Sequence, residues 1–110
     1  MKPGFIYIIT NSNNTTLYIG VTSNLPHRIL EHKEKRYPNS FSARYNLSKL
    51  VYFEQFASPI RKSSGQMIGD AIAREKQLKG GSRLSKFSLV ENTNPFWNDL
   101  FDDIKDIMIM

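Results

Sequence analysis

The chain contains no cysteine. That excludes disulfide staples and thiolate metal sites, and it fits a reducing, cytoplasmic setting. No apolar run approaches the length of a membrane span, and the opening residues MKPGF form no apolar signal segment. Acids are scarce, with ten Asp and Glu against fifteen Lys and Arg, a net charge of +5. Histidine is scarcer still, so His27 and His32 are the only imidazoles in the chain. There is no internal repeat, no low-complexity tract and no compositional break. These absences leave 110 residues as one domain with one modest core.

What is present is an ordinary globular composition, 40% hydrophobic and 12% aromatic, which argues against disorder. The positive charge falls in two blocks. Pro26 to Lys49 carries six Lys/Arg against two Glu, and Arg61 to Lys86 carries seven against two acids. The segment from Glu91 onward is acidic. Two basic blocks around an apolar strand suit a polyanion such as nucleic acid, although solubility charge alone produces similar patterns. An acidic tail should face away from such a ligand.

The best local signal is FIYIITNSNNTTLYIG, Phe5 to Gly20, which reads as a β-hairpin. Two short runs of β-branched and aromatic residues flank the turn cluster Asn11 to Asn14. Alternation puts Phe5, Tyr7 and Ile9 on one face and Ile6 and Ile8 on the other. Tyr18 shares a face with Gly20, so pairing can bring Tyr7 and Tyr18 to one surface. Two phenols beside a glycine mark a plausible site, and the hairpin alone equally suits two tyrosines packed on a core.

Ser23 or Asn24 can cap a helix over LPHRILEHKEKR, with Pro26 in its first turn. Leu25, Ile29 and Leu30 form its apolar side, and Arg28 and His32 share another face four residues apart. Lys33, Lys35 and Arg36 carry positive charge to its end and are candidate phosphate contacts. His27 is expected to face solvent. Tyr37 to Arg44 reads as a loop with one helical turn near Phe41. Leu50 to Phe56 reads as a strand buried on both faces, hence a middle or well-covered one. Ser58 to Gly65 reads as a polar, flexible insertion.

Gln66 to Lys79 is then a helix whose apolar stripe runs Ile68, Ala71, Ile72 and Leu78, with Glu75 inside it. A carboxylate in such a stripe needs a salt-bridge partner, a metal or a catalytic task, because burying it alone is costly. Gly80-Gly81 ends the helix, Ser82 can cap another, and Asn92 to Pro95 is a turn. Phe96 to Met110 has the spacing of a terminal amphipathic helix, with Trp97, Leu100, Phe101 and Ile104 on one core-facing side.

Phe5-Ile6-Tyr7 followed by Tyr18-Ile19-Gly20 resembles the paired motif of the GIY-YIG nuclease superfamily. VTSNLPHRILEHK, SARYNLSKLVYFE, AIAREKQLKG and NPFWNDL continue the likeness to about Leu100, with residues 101–110 as an extension of the same domain. Small stand-alone bacterial members are the nearest in kind; the N-terminal nuclease domain found in an excinuclease and the catalytic domains of some homing endonucleases are more distant. The resemblance implies an α/β fold, a three-stranded antiparallel sheet flanked by helices. It implies hydrolysis of DNA phosphodiesters with one divalent metal, Mg²⁺ or Mn²⁺, and roles of the kind found in DNA repair or recombination.

By motif position, the resemblance implies Tyr7 and Tyr18 as the motif tyrosines, Arg28 and His32 as the helix pair, Glu75 as metal ligand, and either Asn94 or Asn98 as a supporting residue. The set suits the chemistry. Hydrolysis needs an activated water, neutralised phosphate charge and help for the leaving oxygen. Arg28 offers a permanent cationic fork, and one carboxylate can hold Mg²⁺ if water and phosphate complete its shell. Tyr7 is the favoured base if nearby cations stabilise its anion, with His32 in support.

Phe5 replaces the motif's first glycine. Asn39-Ser40-Phe41 stands where homing-endonuclease members carry a second histidine, and Gly80-Gly81-Ser82 stands where close relatives carry an aromatic. The rival readings are a degenerate module that holds nucleic acid without cutting, a nuclease acting on RNA, and a structural protein with a basic surface. In a domain of this size, specificity for one DNA structure is expected to be low or supplied by a protein partner.

Overall fold

A computed structural model describes residues 3–56 and 64–105. Three antiparallel strands form one sheet in the order β2-β1-β3: β1 is Gly4–Thr10, β2 is Leu17–Thr22 and β3 is Lys49–Phe56. The hairpin forms where its composition places it. Asn11 closes the turn, its side-chain oxygen accepting from the Thr15 backbone N–H at 2.8 Å. Between β2 and β3 lie α1, Leu25–Lys33, and the single turn α2, Phe41–Arg44. After β3 come α3, Ser64–Lys79, α4, Arg83–Thr93, and α5, Phe101–Ile104.

Alternation along β1 divides the core into two layers. Phe5, Tyr7 and Ile9 pack with Leu25 and Ile29 of α1, with Leu47 and Leu50, and with Ile104 of α5. Ile6 and Ile8 pack with Ile19 and Val51, with Ala71 of α3 and Val90 of α4, and with Trp97. All seven residues of β1 are buried. Each fully buried aliphatic or aromatic side chain contributes about 1.5–3 kcal/mol relative to its exposed state, so this strand anchors the domain.

The middle strand is therefore β1. β3 lies at an edge, not in the middle, and its apolar run has another cause. The register slips between Ile8 and Ile9, leaving Val51 as an extra residue between Leu50 and Tyr52. Leu50 joins one layer while Val51 and Tyr52 join the other, so helices on both sides cover the strand.

The caps follow the sequence. Asn24 accepts from the His27 backbone N–H at 3.2 Å, with Pro26 in the first turn, and Ser82 accepts from that of Ser85 at 3.0 Å. Helix α1 stops at Lys33, with Lys35 beyond it at φ 51°, so Lys35 and Arg36 lie past its end. Helix α4 runs through Thr93 and takes in part of the expected turn. The insertion read at Ser58 to Gly65 falls largely outside the described residues, and Ser64 already belongs to α3.

The expected terminal helix from Phe96 does not form among the described residues; α5 is one turn. Trp97 adopts φ 56°, which breaks helical continuity. Trp97 then enters the layer with Ile8, whereas Leu100, Phe101 and Ile104 enter the layer with Phe5. The residues of that apparent stripe thus serve opposite sides of the sheet. Phe96, which the same pattern would half-bury, is 83% exposed.

Gly20 pairs with Tyr7, and the phenol ring lies across it. A Cβ at position 20 would sit 2.3 Å from both Cζ and the hydroxyl oxygen of Tyr7. Gly20→Ala is expected to destabilise the domain by about 1–3 kcal/mol through overpacking, seen as a lower melting temperature. Wild-type melting of this variant would show that the Tyr7 ring is not fixed there.

Candidate nuclease site

Tyr7, Tyr18, Arg28 and His32 come together on the α1 side of the hairpin. Cross-strand register puts Tyr18 diagonal to Tyr7 on the same face, with ring centroids 6.4 Å apart. Helical spacing brings Arg28 and His32 to the same place from α1. The Tyr7 hydroxyl lies 2.9 Å from Nε2 of His32, and both residues are buried. The Arg28 guanidinium lies close enough to the same phenol to oppose the rise in its pKa.

Arg28 is held from behind by Glu31, at 3.0 Å. Glu31 also meets His27 at 3.3 Å and Arg36 at 3.6 Å. This carboxylate thus gathers three basic groups and orients one of them toward Tyr7. An i,i+3 Arg–Glu spacing was the available sequence signal for it. His27 is exposed, as its position predicts.

Ser42 completes the centre from α2. Its hydroxyl oxygen lies 2.8 Å from Nδ1 of His32, and Ser40 is 3.3 Å beyond. A serine hydroxyl therefore supports the imidazole in the region where a second histidine is missing. Nothing in a Ser/Asn-rich loop singles this residue out. Its placement depends on Ser40 capping α2, where the Ser40 hydroxyl accepts from the Ala43 backbone N–H.

Glu75 approaches from α3. Its carboxylate is near enough to raise the Tyr7 pKa, and it pairs with Lys79 at 3.0 Å. The Lys79 ammonium also lies 5.8 Å from the Tyr18 ring centroid. Lys79 is half exposed and on the same helix, so Glu75 is not the anchor of a buried ion pair. Among the described residues no three His, Asp or Glu side chains cluster as metal ligands. One partly exposed carboxylate already facing a cation nevertheless fits a hard divalent ion that keeps most of its water.

Beside Tyr18, an open groove is lined by Leu17, Ile19, Phe41, Lys79 and Lys86. Phe41 stacks on Tyr18 at 6.1 Å and meets Tyr45 at 4.6 Å, and both Phe41 and Tyr45 are exposed. The cations at the end of α1 are less free than their sequence suggests. Lys33 pairs with Asp99 and the Ser48 carbonyl, and Arg36 pairs with Glu34. Lys35 binds the neutral Asn46 side chain. Asn94 is buried and ties the backbone of Val51 to that of Asn98, while the Asn98 side chain belongs to an exposed residue.

Burial dominates the electrostatics. It pushes the Tyr7 phenol up to about 12; Arg28 opposes the rise, and Tyr18 and Glu75 add to it. Local cations therefore do not deliver the lowered phenol pKa expected of a free-standing base. Burial also takes His32 down to about 4, with Arg28 pushing the same way and Glu31 opposing. The centre rests as a neutral phenol hydrogen-bonded to a neutral imidazole.

The class of domain follows from comparison with known families. The GIY-YIG catalytic domain matches residues 3–88, and the chain belongs to that family. It is also similar to a UPF0213 protein of Syntrophus aciditrophicus (strain SB), at 30% identity over 95 residues, which cover 86% of this chain and 97% of that protein. No solved structure matches it.

His32 sets an acid limb of stability. Its folded pKa lies below the unfolded value of 6.5, so between about pH 6.5 and 4 the unfolded chain binds the extra proton. Stability is complete above that window and falls as the pH drops through it, by roughly 3 kcal/mol. His32→Gln should remove this dependence in urea melts at successive pH values. An unchanged slope would show that His32 takes up its proton without cost in the fold.

Proposed function

We propose that this protein is an endonuclease that hydrolyses DNA phosphodiester bonds with a divalent metal, Mg²⁺ or Mn²⁺, held at Glu75. The observation that carries the reading is the buried Tyr7–His32 hydrogen bond with the Arg28 cation beside it, in a chain of the GIY-YIG family. Bound at Glu75, the ion would supply Lewis acidity to the phosphate and to the leaving oxygen.

With a pKa of about 12, Tyr7 does not wait as a phenolate. It acts as a relay: its oxygen takes the proton of the attacking water while its own proton passes to Nε2 of His32. The imidazolium so formed is favoured by the phosphate charge brought by the substrate. Arg28, 30% exposed at its side chain, can reach a phosphate oxygen while Glu31 holds one of its guanidinium nitrogens. Tyr18 walls the other side of Tyr7 and meets the substrate groove. Lys79 and Lys86 border that groove, and Lys35 extends the positive surface, with Lys33 and Arg36 contributing through charges partly matched by acids. Asn94 supports the fold around β3 and acts on the reaction only through it.

The decisive experiment incubates the protein with labelled duplex, single-stranded, flap and branched DNA and with RNA, in Mg²⁺, Mn²⁺ or EDTA. Tyr7→Phe should lower the rate by about 10²- to 10⁴-fold while the fold survives. Glu75→Gln should abolish cleavage yet shift stability by no more than about 0.5 kcal/mol, because it breaks only an exposed i,i+4 pair. DNA binding should persist in both. A Glu75→Gln protein that still cuts would remove the metal assignment; cleavage of RNA alone would replace the substrate.

A further inference from the structure

We propose that Ser42 fixes the tautomer of His32 with the proton on Nδ1, leaving Nε2 as the acceptor for the Tyr7 proton. Ser42 is then a positioning residue of the centre described above, and its kinetic consequence rests on the nuclease reading.

A count of donors and acceptors carries the inference. The Arg28 guanidinium beside the phenol can only donate, so it offers the Tyr7 proton no acceptor. The Tyr7 proton must go elsewhere, and Tyr7 is 1% exposed. The protein acceptor in reach is Nε2 of His32, at 2.9 Å. For Nε2 to accept, the ring proton must sit on Nδ1, where it points at the Ser42 oxygen 2.8 Å away. The Ser42 hydroxyl then turns its own proton to Ser40 at 3.3 Å. In this arrangement each buried proton has an acceptor.

The reverse arrangement does not close. Ser42 would donate to Nδ1, and Nε2–H would donate to the phenol oxygen, next to an Arg28 cation that accepts nothing. The Tyr7 proton would be left buried without a protein partner, a loss comparable to a missing hydrogen bond. Ser42 is itself 5% exposed, so water is a poor substitute for it. In the second form the imidazole cannot receive the Tyr7 proton, and the relay has no exit.

Two-bond ¹H–¹⁵N spectra of the metal-free protein, labelled at histidine, read the tautomer directly. The exposed His27 is assigned with His27→Gln. Histidine in water favours the Nε2–H form, so the expected wild-type pattern, Nδ1 protonated and Nε2 bare, is distinct. Ser42→Ala should move His32 toward the Nε2–H form, and Ser42→Thr, which keeps the hydroxyl, should restore it. In cleavage assays Ser42→Ala should lower kcat by about 10²-fold or more with KM for DNA little changed.

A wild-type His32 protonated at Nε2 overturns the proposal, whether or not any variant folds. So does a Ser42→Ala spectrum identical to wild type. A reversed tautomer with undiminished kcat overturns the link to catalysis. Absence of cleavage by the wild type would instead defeat the nuclease reading and leave the tautomer result standing.

Discussion

The Tyr7 ring lies flat against the backbone of Gly20, and the geometry of the site follows from that contact. A side chain at position 20 would occupy the space of the phenol carbon and oxygen. With the ring fixed by the opposite strand, its hydroxyl is carried to α1, where His32 and Arg28 meet it. The contact also ties chemistry to folding. Tyr7 lies between Phe5 and Ile9 in the most buried strand, so its phenol is held as firmly as the core itself. A loop-borne tyrosine would need separate support to reach the same precision.

Burial of that kind has an electrostatic consequence. It stabilises position at the expense of charge, raising the phenol and lowering the imidazole. A phenol that is neutral at rest could serve as a base only by gaining and losing a proton in one event, which requires an aligned acceptor. The acceptor is supplied by α1, and α1 is braced in turn by Glu31 and by Ser42 of α2. The short α2 turn, only four residues long, thereby becomes part of the centre although it contributes little to the core.

What the sequence disclosed follows the same division. Period-two alternation showed the two faces of the hairpin, and i,i+4 spacing joined Arg28 to His32. An acid inside an apolar stripe marked Glu75. These are local regularities, and the structure brings Tyr7, Tyr18, Arg28 and His32 together as they imply. What was not legible depends on tertiary context. The β3 run read as a middle or well-covered strand; it is well covered yet lies at an edge, because helices and not a further strand bury its two faces. The stripe from Trp97 to Ile104 looked helical because its spacing does not reveal the positive φ at Trp97. The direction of the Tyr7 shift could not be inferred from neighbouring cations, since burial outweighs them.

Glu75, the acid inside the α3 stripe, has a weak partner in the structure. A carboxylate at such a position in a purely structural helix would meet a buried cation from another element. Here its partner is the half-exposed Lys79 one turn along, a pair of small stabilising value. That pairing gives little reason for a carboxylate beside a buried phenol whose ionisation it opposes. The unfavourable arrangement has a use if a cation stronger than an ammonium replaces Lys79 on the carboxylate. The same replacement would turn Glu75 from opposing charge on Tyr7 to balancing it, and would free Lys79 to face the groove beside Tyr18. In that case the electrostatic cost in the resting protein and room for an anionic strand would share one origin, a need for more positive charge than the site's own side chains supply.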